Sequence, residues 1–177
     1  MFSLAYFSLG FLLLRAHGVG FSVTHIVLLY ALFNTTCVIF SPLVGLLGDR
    51  IGRSRIVVLG YGVYGLINLG LVLADKPWQI ITAFAAYGFF YAIDESQSRA
   101  FIADLEPERR ASAVGIYNFV TGALYLPASL VAGALWASSP ALAFSLAAGW
   151  SAVAIVLFLG LKPAGEHGAT AQRLRAR

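Results

Sequence analysis

The sequence predicts an all-α, polytopic membrane protein. Of its 177 residues, 59% are hydrophobic and only 11% are charged, whereas soluble domains carry about 25% charged residues. The mean hydropathy is +0.82, and several apolar runs approach or exceed the roughly 20 residues that a helix needs to cross a bilayer core. The runs are continuous and lack the alternation of a transmembrane barrel strand. We therefore expect helical spans.

Six apolar runs predict about six transmembrane helices joined by short loops. They are Phe2–Leu14, Val23–Leu47, Ile56–Ala74, Trp78–Ile93, Ser112–Trp136 and Ala141–Leu161. The joining segments are too short to fold separately, so residues 1–162 form one bundle. The first run covers about 20 Å before Arg15, less than a full crossing, which indicates a truncated helix. Residues 163–177 are polar and basic, and we expect a disordered cytoplasmic tail near anionic lipid.

The basic residues separate onto two sides of the predicted bundle. Arg15 and Lys76 fall on one side. The other side carries Arg50, Arg53, Arg55, Arg99, Arg109, Arg110, Lys162, Arg173, Arg175 and Arg177. The positive-inside rule then predicts a cell inner membrane protein with both termini cytoplasmic. Because the charges are scattered over short loops and one tail, they indicate topology and no nucleic-acid partner.

The segment "GLLGDRIGRSR", from Gly45 to Arg55, joins the second and third spans. Gly45 continues a stripe of small residues with Cys37 and Ser41 at spacing four, which favours close approach of a neighbouring backbone. Asp49 follows on that face, where it can accept hydrogen bonds at a helix start or pair with an arginine. Gly52 permits a turn with positive φ.

The ordered residues of this segment carry a family resemblance. They are Gly45, Leu47, Gly48, Asp49, Arg50, Gly52, Arg53 and Arg55. The set resembles the G-x-L-[AG]-D-[RK]-x-G-R-[RK]-x signature of the major facilitator superfamily of transporters, where it joins the second and third helices of each six-helix half. The segment from Asp94 to Trp136 is most similar to the carboxy-terminal half. The arginines alone would also follow from the positive-inside rule.

The resemblance implies half of a twelve-helix transporter that moves a small solute or drug by alternating access, with the segment from Gly45 to Arg55 as a conformational gate. It also implies a second half or another copy as partner, because substrate lies between two halves. A non-transporting remnant or subunit is the alternative. A membrane-embedded enzyme is disfavoured because H-E-x-x-H and G-x-S-x-G are absent. We expect no catalytic, cofactor or metal site.

Charged residues after the fourth span form a second group of candidates. Glu95 and Arg99 have the i, i+4 spacing of a helical ion pair, which either orders a helix end or forms part of a gate. The resemblance adds Asp104, Arg109 and Arg110 to this cytoplasmic network. Asp94 beside Glu95 makes a like-charge pair, which favours protonation of one carboxyl and suits proton coupling. Solvated loop carboxylates are the alternative.

Polar and aromatic residues inside the spans are candidates for lining a central cavity. They are Asn34, Asn68, Tyr87, Tyr91 and Asn118. Each asparagine could equally bond a neighbouring helix for about 1 kcal/mol. Tyr87 and Tyr91 share a helix face and would suit an amphipathic or aromatic substrate.

Overall fold

The computed structural model describes residues 9–160, except for the side chains of residues 104 and 105. Its helices are α1 (Leu9–Gly18), α2 (Val23–Ile51), α3 (Arg53–Val72), α4 (Pro77–Ile93), α5 (Arg99–Leu105), α6 (Arg110–Ser138) and α7 (Pro140–Gly160). The described residues contain no strand, and the predicted all-α class is confirmed. The beginning of the first predicted span, Leu161 at the end of the sixth predicted span, and the predicted tail lie outside the described residues.

Four of the described helices, α2, α3, α6 and α7, are long and apolar enough to cross a membrane. The fourth predicted span corresponds to α4, which has 17 residues. The π-helical turn Asp94–Ser98 then joins α4 to α5, so residues 77–105 form one continuous rod. Asp94 and Glu95 therefore lie within a helix and not in a loop, because none of the polar residues after Ile93 breaks a helix.

The turn between α2 and α3 is shorter than predicted. α2 continues past the predicted end at Leu47 to Ile51, and α3 already begins at Arg53. Gly52 alone separates the two helices, with φ at 99°. The predicted positive φ is confirmed, since only glycine adopts this conformation at little cost.

The centre of the bundle is α3, which packs between α4 and α7, while α2 packs on α4 and α6 packs on α7 and α5. Tyr64 of α3 and Phe90 of α4 are fully buried, with ring centroids 4.7 Å apart. α2 meets α4 at Gly88, where an added Cβ would collide with the backbone carbonyl of Phe33 and lie 2.9 Å from Thr36 Cβ. This glycine therefore sets the distance between the two helices.

An arginine near the end of α1 contacts the turn between α3 and α4, at the opposite end of the bundle from the Gly52 turn. The Arg15 guanidinium donates a 2.9 Å hydrogen bond to the carbonyl of Ala74 and lies 3.5 Å from the Asp75 carboxylate. Sequence analysis interpreted Arg15 only as a marker of topology. In the structure it also binds α1 to the turn between α3 and α4.

Candidate functional site

The signature segment contains an ion pair that bridges α2 and α3. Arg53 Nη2 lies 3.2 Å from Asp49 Oδ1, with Gly52 between them in the chain. The predicted pairing of Asp49 with an arginine is confirmed. Arg50 and Arg55 are exposed at the same turn, and the gating role of the segment stays a prediction.

The close contact in this segment lies at Gly48, not at Gly45. A Cβ at Gly45 would meet nothing within 4 Å, whereas one at Gly48 would collide with the Gln97 side chain. The Ser41 hydroxyl donates to the carbonyl of Cys37 in its own helix at 2.8 Å. The expected approach of a neighbour to Gly45 is thus not found among the described residues, because Gly48, three residues on, lies on the face that meets the rod.

Gln97 of the π-helical turn is the residue that enters this contact, and sequence analysis did not single it out. Its side chain is buried, and Nε2 donates a 3.1 Å hydrogen bond to the Val44 carbonyl. Its Oε1 is buried without a hydrogen-bond partner among the residues that the structure describes. Gln97 thereby ties the rod to α2 one turn before the signature ion pair.

The second charged group lies on the rod. Arg99 Nη1 is 3.4 Å from Glu95 Oε1, and the two side chains are 54% and 46% exposed. The predicted i, i+4 pair is confirmed as a contact. Arg109 and Arg110 are exposed around the start of α6. The Asp104 side chain lies outside the described ones, so the wider charge network stays a prediction.

Asp94 differs from its neighbour Glu95. It lies one residue beyond the fourth predicted span, is partly buried, and accepts a 3.2 Å hydrogen bond from the Ser98 hydroxyl. Desolvation by burial raises the pKa of Asp94 to about 6, and the Glu95 carboxylate adds to the rise, while the hydrogen bond from Ser98 and the charge of Arg99 oppose it. Proton coupling through Asp94 and Glu95 stays a prediction.

Two neighbouring cavities form a groove between α2, the rod and α6. The first has a volume of about 390 Å³, and its lining includes Tyr30, Phe33 and Asn34 of α2. The second has a volume of about 230 Å³ and is lined by the charged residues of the rod and by polar residues of α6. Because Tyr91 and Tyr125 line both cavities, the two are adjacent.

The predicted cavity residues divide between this groove and the core. Asn34 and Tyr91 line the first cavity, and Tyr91 and Asn118 line the second. Asn68 is buried and donates a 2.7 Å hydrogen bond to the Tyr64 carbonyl of its own helix. Tyr87 is buried with its ring centroid 5.6 Å from that of Phe90. The structure thus differs from the prediction at Asn68 and Tyr87, which face the core.

The groove also contains residues that sequence analysis did not select, namely Ser98, Tyr117 and Tyr125. Tyr117 and Tyr125 lie on one face of α6, but only the packing of α6 against the rod brings them beside Asp94. Among the side chains that the structure describes, no group of three or more His, Cys, Asp or Glu is placed to hold a metal ion.

Comparisons with known proteins agree with the resemblance. The sequence model of the Major Facilitator Superfamily matches residues 1–177. One relative is an uncharacterized MFS-type transporter of Methanocaldococcus jannaschii, 37% identical over 151 residues. That match covers 81% of this chain and 38% of the relative, so the chain spans well under half of the relative's length. No solved structure matches the chain.

Proposed function

Because the chain belongs to the major facilitator superfamily, we propose that it acts as a six-helix half of a transporter that moves a small molecule by alternating access. In such transporters, substrate binds between two repeats that rock against each other. The observation that carries the proposal is the groove between α2, the rod and α6, which is lined by tyrosine, asparagine and charged side chains. We assign this groove to the substrate path.

The exposure of the two helices beside the groove supports a second half. α3 buries eight residues, whereas α6 buries only Ala128 and Ala132 and α2 buries four. Polar groups that face hydrocarbon without a partner are costly, and the groove presents the exposed Asn118 on its α6 side. A second half or a second copy of the chain would cover this residue and close the path.

The two ion pairs are our candidates for the gate, at the end of the bundle that we place in the cytoplasm of an inner-membrane protein. Asp49–Arg53 and Glu95–Arg99 are both partly exposed, and pairs of this kind contribute about 0.3–0.5 kcal/mol each. Their partners can therefore be exchanged at little cost when the bundle rocks. The cytoplasmic position follows from the distribution of basic residues.

Labelling with an impermeant maleimide tests the orientation. On a Cys37→Ser background, Asp75→Cys is expected to react from outside intact cells, and Glu108→Cys only after the membrane is opened. Both native side chains are exposed, at opposite ends of the bundle. Reaction of Glu108→Cys in intact cells would contradict the cytoplasmic gate.

Mass measurement and cross-linking test the half-transporter. The purified chain is expected to associate, and Gly122→Cys in the groove is expected to cross-link two copies. Leu66→Cys is the control, because Leu66 is 70% exposed on α3, away from the groove. A monomer that transports a substrate after reconstitution would overturn the proposal.

A further inference from the structure

The smaller cavity of the groove carries one negative charge that no cation in its lining neutralises. Its charged lining residues are Asp94, Glu95 and Arg99. Arg99 lies 3.4 Å from Glu95, and these two charges offset each other. Asp94 is contacted by the neutral Ser98 hydroxyl at 3.2 Å. Two carboxylates against one guanidinium leave the cavity with a net charge of minus one, located at Asp94.

Three tyrosines line the cavity that contains this carboxylate. They are Tyr91, Tyr117 and Tyr125. The face of an aromatic ring attracts a cation within about 6 Å of its centroid, and the attraction grows when water is excluded. A carboxylate and several rings in one cavity therefore both favour a positive ligand.

The neighbouring cavity offers room for an apolar body. Its lining includes Tyr30 and Phe33 together with Asn34, and it adjoins the smaller cavity at Tyr91 and Tyr125, which line both. Small-molecule sites have volumes of about 300–1,000 Å³ and few polar groups. The volume of about 390 Å³ for this part of the groove lies in that range.

We propose that the groove binds an organic cation, with the positive group between Asp94 and the tyrosines and the apolar part beside Tyr30 and Phe33. This substrate class rests on the proposed transport function. An anion is disfavoured because Arg99 is already paired. A neutral solute would leave the Asp94 carboxylate without a counter-charge, which is costly for a partly buried group.

Equilibrium binding of a matched pair of ions to the purified full-length chain tests the proposal. Tetraphenylphosphonium and tetraphenylborate have similar size and shape but opposite charge. We expect Asp94→Asn to weaken tetraphenylphosphonium binding about tenfold or more and not to weaken tetraphenylborate binding. The control is Asp75→Asn, which removes the same charge from a side chain that is 89% exposed at the other end of the bundle and should change the affinity less than about twofold.

A pair of ring variants provides a test that leaves every charge in place. Tyr125→Phe keeps the ring and should retain tetraphenylphosphonium affinity within about twofold, whereas Tyr125→Leu should weaken it about threefold to tenfold. If Asp94→Asn does not fold, this pair of variants still tests whether the groove binds the cation. Equal affinity for the cation in the parent and in Asp94→Asn or Tyr125→Leu, at equal purity and mass, would overturn the cation site.

The outcomes separate this site from the transport proposal. Charge-dependent cation binding by a chain that neither associates nor transports would support the site and overturn the half-transporter. Association and transport without binding that depends on Asp94 would overturn only the cation site.

Discussion

The two sides of this bundle use polar residues in opposite ways. On the packed side, Asn68 of α3 donates to a carbonyl of its own helix, and Ser151 of α7 donates to the Tyr61 carbonyl of α3. On the open side, the exposed Asn118 of α6 lines the groove. Both sides consist of apolar helices, so composition alone does not distinguish them. What differs is whether a polar side chain forms a hydrogen bond within the bundle or lies in the groove, where a ligand or partner can contact it.

The glycines show the same contrast. Gly88 admits the α2 backbone and Gly48 admits the Gln97 side chain. Added Cβ atoms at Gly45 and at Gly122, of which Gly122 lines the groove, would meet nothing within 4 Å in the described part of the chain. A glycine at a contact fixes the spacing of two helices, and a glycine facing a groove leaves space. The following experiments test this contrast, beginning with the largest expected effect.

The variant Gly88→Leu is expected to lower the free energy of unfolding by about 3 kcal/mol, at the upper end of the usual cost of overpacking. The added side chain would meet backbone atoms of α2 that cannot rotate away. Unfolding in mixed micelles by titration with a denaturing detergent measures the change. Gly45→Leu is the matched control on the same pair of helices and should stay within about 0.5 kcal/mol. Equal losses in both variants would contradict the close contact at Gly88.

The variant Gly48→Ala is expected to cost about 2 kcal/mol, because the new methyl group displaces Gln97 and breaks its bond to the Val44 carbonyl. Shortening the Gln97 side chain should restore part of the lost stability. The double variant Gly48→Ala, Gln97→Ala should therefore be more stable than the sum of the two single changes predicts. A coupling free energy above about 0.5 kcal/mol is expected from the double-mutant cycle. Strict additivity would show that Gln97 does not occupy this space.

On the open side, tetraphenylphosphonium affinity is expected to fall about tenfold between about pH 7.5 and about pH 5, since one pH unit below a pKa leaves about a tenth of the group ionised. The pKa of Asp94 is raised to about 6, so its carboxylate loses the charge as pH falls through that value. Glu95, Arg99 and the tyrosines are the other ionisable groups described in the lining, which includes no histidine.

The probe itself does not titrate in this range, so the pH dependence reports on the protein. Asp94→Asn is the control and should bind weakly with a flat pH profile. A profile in the parent that is equally flat between the two pH values would contradict a role for an ionised Asp94.

The smallest effect is expected from the exposed ion pair on the rod. Glu95→Gln should change the free energy of unfolding by only about 0.3–0.5 kcal/mol, because both partners are half-exposed and screened by solvent. Asp49→Asn removes the other exposed ion pair and should change the free energy of unfolding by a similar amount in the same titration. A loss well above 1 kcal/mol in either variant would show that the pair contributes to packing.

Local features of this structure could be predicted from the sequence. The start of α2 at Val23 follows from the start of an apolar run, and the positive φ at Gly52 follows from one residue type. The contact between Glu95 and Arg99 follows from i, i+4 spacing on a helix. Each of these depends on residues that are close in the chain.

Features that depend on helix packing could not be predicted. Gln97 contacts Gly48 and Val44 across more than 40 positions of sequence, and nothing near it in the chain indicates the partner. The same holds for Arg15, whose acceptor is the carbonyl of Ala74, a backbone atom that every residue type carries. Tyr125 joins Asp94 in one cavity only because α6 packs against the rod. The sequence therefore indicated the charged residues of the candidate site and Tyr91, but not Tyr117 or Tyr125.

The π-helical turn Asp94–Ser98 has a consequence for the orientation of α5. A π-helical turn accommodates one residue more than an α-helical turn, and each residue of an α-helix turns the chain by about 100°. If the same five residues became α-helical, Arg99–Leu105 would rotate by about 100° about the axis of the rod, while α4 kept its place. The rotational position of α5 against α6 thus depends on the conformation of five residues, and a twist at this one turn would be transmitted to the whole α5 end of the rod.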